Sequence, residues 1–446
     1  MDWTLDRRNL IGLAAAGLGV SAASPSAAGD PAPAAQALVR FDGSGLADAS
    51  DALERTLRMA AAAGEAVLLA PGRITVRKPV RLPDQALLLG ALGRSVIVCR
   101  DAGRLVGDGA RDVLLSDFRI EGDGKTPSDN ALIELSHCRD VRLMQLVIAD
   151  AAGDGLRLWR SGGRLQGNRI VRCGASAIRS GESLGLVIAD NEIDDIANNA
   201  IVVWRETAGT DSSQVVNNRI SRVRADAGGS GQNGNGINVF RADHVLVANN
   251  TIADCAFSAV RCNAASNVQI VANNCRNLGE VALYAEFAFE GAVIANNIVA
   301  NAATGIEVTN FNDGGRLVSV QGNVIRDLFR REAEPVDKRG VGIAVEADTC
   351  VSGNTIEGAP TAGLMIGWGR YVRQVNATGN VIRDSSVGIA ISSQGRAGSV
   401  LLCANMVSGA REGHVRLFDH GVAVGDAATA ADGRFGAAHL SANMFT

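Results

Sequence analysis

The chain reads as an all-β solenoid: a right-handed parallel β-helix of about 13 coils with an N-terminal capping helix. Three observations predict it. The first is a frame, apolar-x-apolar-x-x-Asn-x-apolar, with its asparagine at Asn168, Asn191, Asn218, Asn250, Asn274, Asn297, Asn323, Asn354, Asn380, Asn405 and Asn443. A repeat of this period means stacked units that each bury an apolar face only against their neighbours. The second is a short apolar stretch after each asparagine, as in Gly155-Leu156-Arg157-Leu158, Gly236-Ile237-Asn238-Val239 and Gly305-Ile306-Glu307-Val308. Alternation with Val and Ile reads as a further strand in each turn, where a leucine-rich repeat would place a Leu-patterned convex segment. The third is composition. Aromatics are only 4% and charged residues 20%, with 52 glycines, as suits a thin aliphatic core with tight corners.

The elements follow in chain order. Residues 1–28 have the layout of an export signal: Arg7-Arg8, an apolar run from Leu10 to Val20, then small residues. The paired arginines followed by Leu10 resemble a twin-arginine leader, so passage through the twin-arginine export machinery to the periplasm or beyond is expected. The apolar run is too short to span a membrane, and none later reaches 18 residues. A Pro/Ala linker, 29–40, precedes an N-terminal cap, 41–90. Within the cap, Asp48 or Ser50 can start a helix over 51–63 that Gly64 stops. A solenoid needs such a cover over its open end. The repeat domain is 91–446. Its segments 113–120 and 141–148 carry Phe118 and Leu146 in the asparagine slot.

Each asparagine can donate and accept, so an inward column can hydrogen-bond along the stack and serve as a structural ladder. Of the eight cysteines, Cys262, Cys275, Cys350 and Cys403 occupy different slots. Cys173 and Cys255 share one but lie three coils apart, beyond bridging range; buried small residues are expected, not disulfides.

The cap and repeats together resemble the pectin-lyase-like β-helix superfamily of pectate lyases, polygalacturonases and alginate epimerases. The twin-arginine leader with Asn-bearing repeats resembles a bacterial family of twin-arginine-translocated repeat proteins, which implies a compartment and an architecture but no reaction. The superfamily's catalytic signatures are absent. Asp194-Asp195 and His420-Gly421 stand alone, and Asp419-His420 is an isolated pair. No CxxC, HExxH or histidine cluster occurs, so no metal site is indicated; Ca²⁺ remains possible without a motif. No cofactor, nucleotide or nucleic-acid partner is expected.

The frame also tells which side chains face outward together. The middle of the second strand forms a column through Arg157, Arg179, Val202, Asn238, Arg261, Tyr284, Glu307 and Ala344. Beyond it run Trp159, Trp204-Arg205, Phe240-Arg241, Glu286 and Asn310. Two lengthened turns, 224–235 and 329–339, project from one corner and frame Arg261, Asn263, Tyr284, Glu286, Glu307 and Asn310. Arg261, Tyr284, Glu286 and Glu307 are the candidate catalytic residues: a Tyr or Arg base with an Arg neutralising a uronate carboxylate, or a Glu286/Glu307 acid–base pair. Asn263, Asn310, Trp159, Trp204, Phe240, Arg205 and Arg241 are candidate substrate contacts, on an exposed face suited to an anionic polysaccharide. Two functions stay open: a lyase, epimerase or hydrolase-like protein of acidic polysaccharides, or a noncatalytic envelope or surface-recognition scaffold.

Overall fold

Each full turn of the solenoid is built from three short strands. In one coil these are Gly163–Gln166, Arg169–Cys173 and Ser176–Gly181, which pair in parallel with Val187–Ala189, Glu192–Ile196 and Asn199–Thr210 of the next. First strands line up in a 17-stranded sheet, second and third strands in a 28-stranded one. The computed structural model describes residues 37–446, apart from 92, 125–129, 230 and 427–432. The leader 1–28 and linker residues 29–36 lie outside the described residues.

The fold is the expected right-handed parallel β-helix, with about 15 turns in place of 13. The difference arises at the N-terminal end. Leu38–Phe41, Ala66–Leu69 and Leu87–Leu89, assigned from the sequence to linker and cap, already belong to the first-strand sheet. They lack the asparagine frame, so periodicity did not reach them. The helix Ser50–Ala63 covers this end and buries Leu53, Leu57 and Ala60. Its N-cap residue is Ala49; Asp48, one position earlier, accepts from the Ser50 amide at 3.0 Å. Gly64 stops it in the left-handed conformation, φ 69°.

The core is a set of aliphatic stacks. Ile148, Ile170, Ile193, Ile220 and Ile252 lie in register, and Cys275, Val299 and Ile325 continue the stack. All are buried, each contributing roughly 1.5–3 kcal/mol for a large aliphatic side chain. Cys275 thus acts as a small apolar residue. The cysteines are free thiols, six of the eight fully buried. Burial pushes the thiols of Cys99, Cys262 and Cys275 up to about 12.

The asparagine ladder is inward and fully bonded. Asn297 Nδ2 donates to Asn323 Oδ1 at 3.0 Å and to the Ile270 carbonyl at 2.9 Å. Its Oδ1 accepts from the amide and Nδ2 of the asparagine below. The pattern repeats from Asn168 through Asn191, Asn218, Asn250, Asn323, Asn354, Asn380 and Asn405 to Asn443. One expected rung is wrong. Asn273, not Asn274, occupies the slot: it is buried and accepts from Asn250, whereas Asn274 is exposed. In neighbouring coils the residue before the rung, Asn217, Asn249 or Asn296, holds a left-handed turn; here Ala272 does so at φ 56°. The Asn-Asn doublet is therefore shifted by one, and the buried partner two residues on is Cys275.

Four residues past each rung, Asp150, Arg172, Asp195, Arg222, Asp254, Asn277 and Asn301 all have φ between 53° and 59°. The slot is a left-handed corner suited to Asp and Asn. Within the slot Arg172 pairs with Asp150 of the coil before, whereas Arg222 bonds Asp194 and not Asp195.

Candidate functional site

The outward column exists as derived. Arg157, Arg179, Val202, Asn238, Arg261, Tyr284, Glu307 and Ala344 are successive Cα partners. So are Trp159, Gly181, Trp204, Phe240, Asn263 and Glu286 in the neighbouring column. What differs is exposure. Arg261 is 8% exposed, Tyr284 3%, and Glu286 and Glu307 1% each, so the expected open face is absent there.

The two long turns cover it. They do rise from one corner, but both fold inward over the coils carrying Arg261 and Tyr284. Gly231, at φ 119°, lies so close that a Cβ would sit 1.4 Å from Arg261 Nη1; only glycine lets that turn approach. From the other turn, Arg331 Nη1 donates to the Gly279 carbonyl at 2.7 Å, and Lys338 Nζ reaches Glu280 at 3.2 Å. The tip of the C-terminal hairpin, formed by Gly413–Asp419 and Val422–Asp426, meets this roof. A Cβ on Gly421 would fall 2.5 Å from Val336, and the His420 ring stands edge-on to Trp368 at 5.5 Å. The Asp419–His420 pair thus belongs to this tip.

Beneath the roof is a cavity of about 670 Å³, within the range of small-ligand sites. Arg261, Tyr284, Glu286, Glu307 and Asn310 line it, together with residues that sequence reasoning missed: Glu280, Arg331, Glu334, Lys338, Glu346, Trp368, Tyr371, Phe257 and Phe287. Asn263 supports the wall by donating to Glu286 Oε1 at 2.8 Å. Asn310 accepts from the Phe287 amide at 3.2 Å.

The charges are tightly coupled. Arg261 Nε donates to Glu286 at 2.6 Å, and Nη1 lies 3.5 Å from Glu280. Its guanidinium and the Lys338 ammonium flank the Tyr284 ring, 5.2 and 4.9 Å from the centroid. Burial opposes the charge on Arg261, but Glu286 and Glu280 outweigh it. Lys338 likewise stays protonated against burial through Glu307 and Glu280. Burial, reinforced by Glu307 and Glu286, holds the Tyr284 phenol well above its usual range, making it a poor base. The Glu334 carboxyl is raised by burial and by Glu280, which favours its protonated form. The cavity thus holds a candidate proton donor, Glu334, and candidate acceptors, Glu286 and Glu307, beside aromatic faces.

The remaining expected contacts lie elsewhere in these columns and are largely self-satisfied. Trp159 and Trp204 approach to 5.5 Å across Gly181, where a Cβ would meet both rings within 2.9 Å. Arg205 is bound to Glu182 at 3.0 Å, and Arg241 lies over Phe240 while donating to the Glu206 carbonyl. Trp204 and Phe240 are three and two coils from Glu286. A signal for the missed residues existed in the charged 329–339 turn and in the Trp368-Gly-Arg-Tyr371 aromatic pair. Glu280 had none beyond being a carboxylate within a strand.

The fold and site define the class: a right-handed parallel β-helix with a roofed, carboxylate-rich cavity on one flank. The family described as right handed beta helix region matches residues 208–382. The family described as periplasmic copper-binding protein (NosD) matches residues 99–286. No curated protein sequence matches. Among solved structures, the chain is similar to the bacteriophage phi29 gene product 12 N-terminal fragment, at 13% identity and TM-score 0.54, over 91% of this chain and 69% of that one. It is similar to a mannuronic acid specific polysaccharide family 6 lyase from human gut microbiota, at 14% identity and TM-score 0.50, over 86% and 91%. A GH87 α-1,3-glucanase catalytic domain in complex with nigerose aligns at 13% identity and TM-score 0.51, over 83% and 67%. At such identities the shared property is the fold.

Copper does not fit the residues present. No group of three or more His, Cys, Asp or Glu side chains is placed to hold a metal ion among the described residues. Of the eight cysteines, soft ligands of the kind copper favours, six are buried, and burial raises five of those thiols strongly. No described helix is long and apolar enough to cross a membrane.

Proposed function

We propose that this is an exported glycan-processing protein whose cavity beneath the 329–339 turn binds a saccharide and cleaves it by hydrolysis. One observation carries the reading: a cavity of about 670 Å³ in which Glu334, its carboxyl raised above the ordinary range by burial, shares the space with Glu286, Glu307 and aromatic walls. Hydrolysis at an anomeric centre needs one carboxyl to protonate the leaving oxygen and a carboxylate to activate water or attack. Glu334 suits the first role, and Glu307 or Glu286 the second. An elimination on a uronate is less well served. It needs a cation free to neutralise the substrate carboxylate, and Arg261 is already bound to Glu286 and Glu280.

The test is a screen of oligosaccharides read both for new reducing ends and for unsaturated product near 235 nm. Reducing ends without unsaturation, lost in Glu334→Gln and Glu307→Gln, are the expected result. Unsaturated product overturns the hydrolytic reading. Binding with neither product returns the protein to a recognition role.

Export is supported by the Arg7-Arg8 leader and by the periplasmic description of the matching family. Replacing both arginines with lysine is expected to retain the full-length chain in the cytoplasm.

A further inference from the structure

Phe287 occupies a backbone position that its side chain does not suit. It lies one residue beyond the column of Phe240, Asn263 and Glu286, at a corner repeated in successive coils. There Arg241, Ala264, Phe287 and Asn310 have φ of 53°, 49°, 62° and 67°. Left-handed corners favour Asn or Gly, and a bulky side chain in one is strained. Among the described residues with positive φ, Phe287 is the one Phe, Tyr or Trp. Packing does not compensate, since the residue is 40% exposed and stands outside the aliphatic core. It does line the cavity, directly after Glu286. Strain kept without burial points to a use of the ring itself.

The approach to the cavity lies at the same corner. On the other side, Gly234 of the 224–235 turn sits so close that a Cβ would fall 2.6 Å from the Phe257 ring. The Arg331 guanidinium lies 5.2 Å from the centroid of that ring, which links the two turns. From there the cover runs through Val336 to the hairpin tip, and from His420 to Trp368. A polymer lying along the rod would run into these turns. One crossing the corner after the third strands would meet Phe287 and Asn312, both exposed and both lining the cavity.

Resting on the glycan reading above, we propose that the saccharide enters end-first across this corner, its terminal unit beside Glu286 and Glu307 and a following ring stacked on Phe287. The aromatic face covers the apolar C–H face of that ring, a contact comparable to an aromatic pair.

The experiment titrates the exported protein with mannuronate, glucosamine and α-1,3-glucan oligomers, by calorimetry for hexamers and by NMR for monomers. In Phe287→Asn, the hexamer that binds wild type is expected to weaken about three- to tenfold, at least threefold more than its monomer. Phe287→Leu, apolar but without a ring face, is expected to lose as much. The thermal midpoint of Phe287→Asn is expected to be unchanged or higher, because Asn suits the corner. Equal weakening of monomer and hexamer overturns the inference, as does full affinity in either variant. So does a fall in midpoint of more than about 2 °C, which makes the ring a structural one; all three leave the glycan reading intact. No binding of any series to wild type removes the glycan reading itself, and this inference with it.

Discussion

Two columns of buried polar side chains run along the same rod, and they are built on opposite plans. The asparagine ladder repeats one neutral group, each amide satisfied by the next rung and by a carbonyl. The cavity column changes its residue at every coil, from Arg261 to Tyr284 to Glu307 to Ala344, and needs two inserted turns to cover it. Identical rungs give cohesion without a space; unlike rungs leave a space that charge must balance. The comparison teaches where a solenoid places function: not where its repeat is most regular, but where the column varies and the turns lengthen.

The largest effect should come from breaking the charge balance. Arg261→Ala leaves Glu286 and Glu280 buried beside one cation fewer, with an expected cost of about 3–5 kcal/mol in denaturant unfolding. A cost below about 1 kcal/mol would mean that the cluster is hydrated and that the roof is not closed. Next is the ladder. Asn297→Ala leaves the amide and Nδ2 of Asn273 without their acceptor and removes one of the two donors to Asn323 Oδ1, and should cost about 1–3 kcal/mol. Asn273→Ala should match it, whereas the exposed Asn274→Ala should stay within about 0.5 kcal/mol; reversal of that pair would restore the register read from the sequence.

A smaller, pH-dependent effect belongs to Glu334. Its folded carboxyl is raised above the ordinary 4.5, with burial the leading cause. A carboxyl raised on folding contributes stability at low pH and loses it as pH climbs through the folded value. Stability should therefore fall with pH from about 4.5 upward, and Glu334→Gln should flatten that slope. An unchanged slope would remove Glu334 as a proton-retaining group.

Much of this was legible in the sequence, for a physical reason. Stacking forces equivalent positions into register, so a periodic frame fixes which side chains share a column, and Arg261, Tyr284 and Glu307 fell where the spacing placed them. The frame carries no information on what a nonperiodic turn does. Whether 329–339 stands clear or folds over depends on Lys338 reaching Glu280 and Arg331 reaching the Gly279 carbonyl. The exposed face therefore became a cavity, and its missed residues, Glu334, Lys338 and Glu346 among them, come from turns and from Glu280. The Asn273 error is of another kind: in a doublet, only the left-handed Ala272 before it marks the rung.

The most direct test of the account is a crystal structure of the protein soaked with its tightest-binding oligosaccharide. The account predicts a sugar within the cavity, in hydrogen-bond reach of Glu307 and Glu334 and against Trp368. A sugar seated instead along Trp159, Trp204 and Phe240, with the cavity empty, would contradict it.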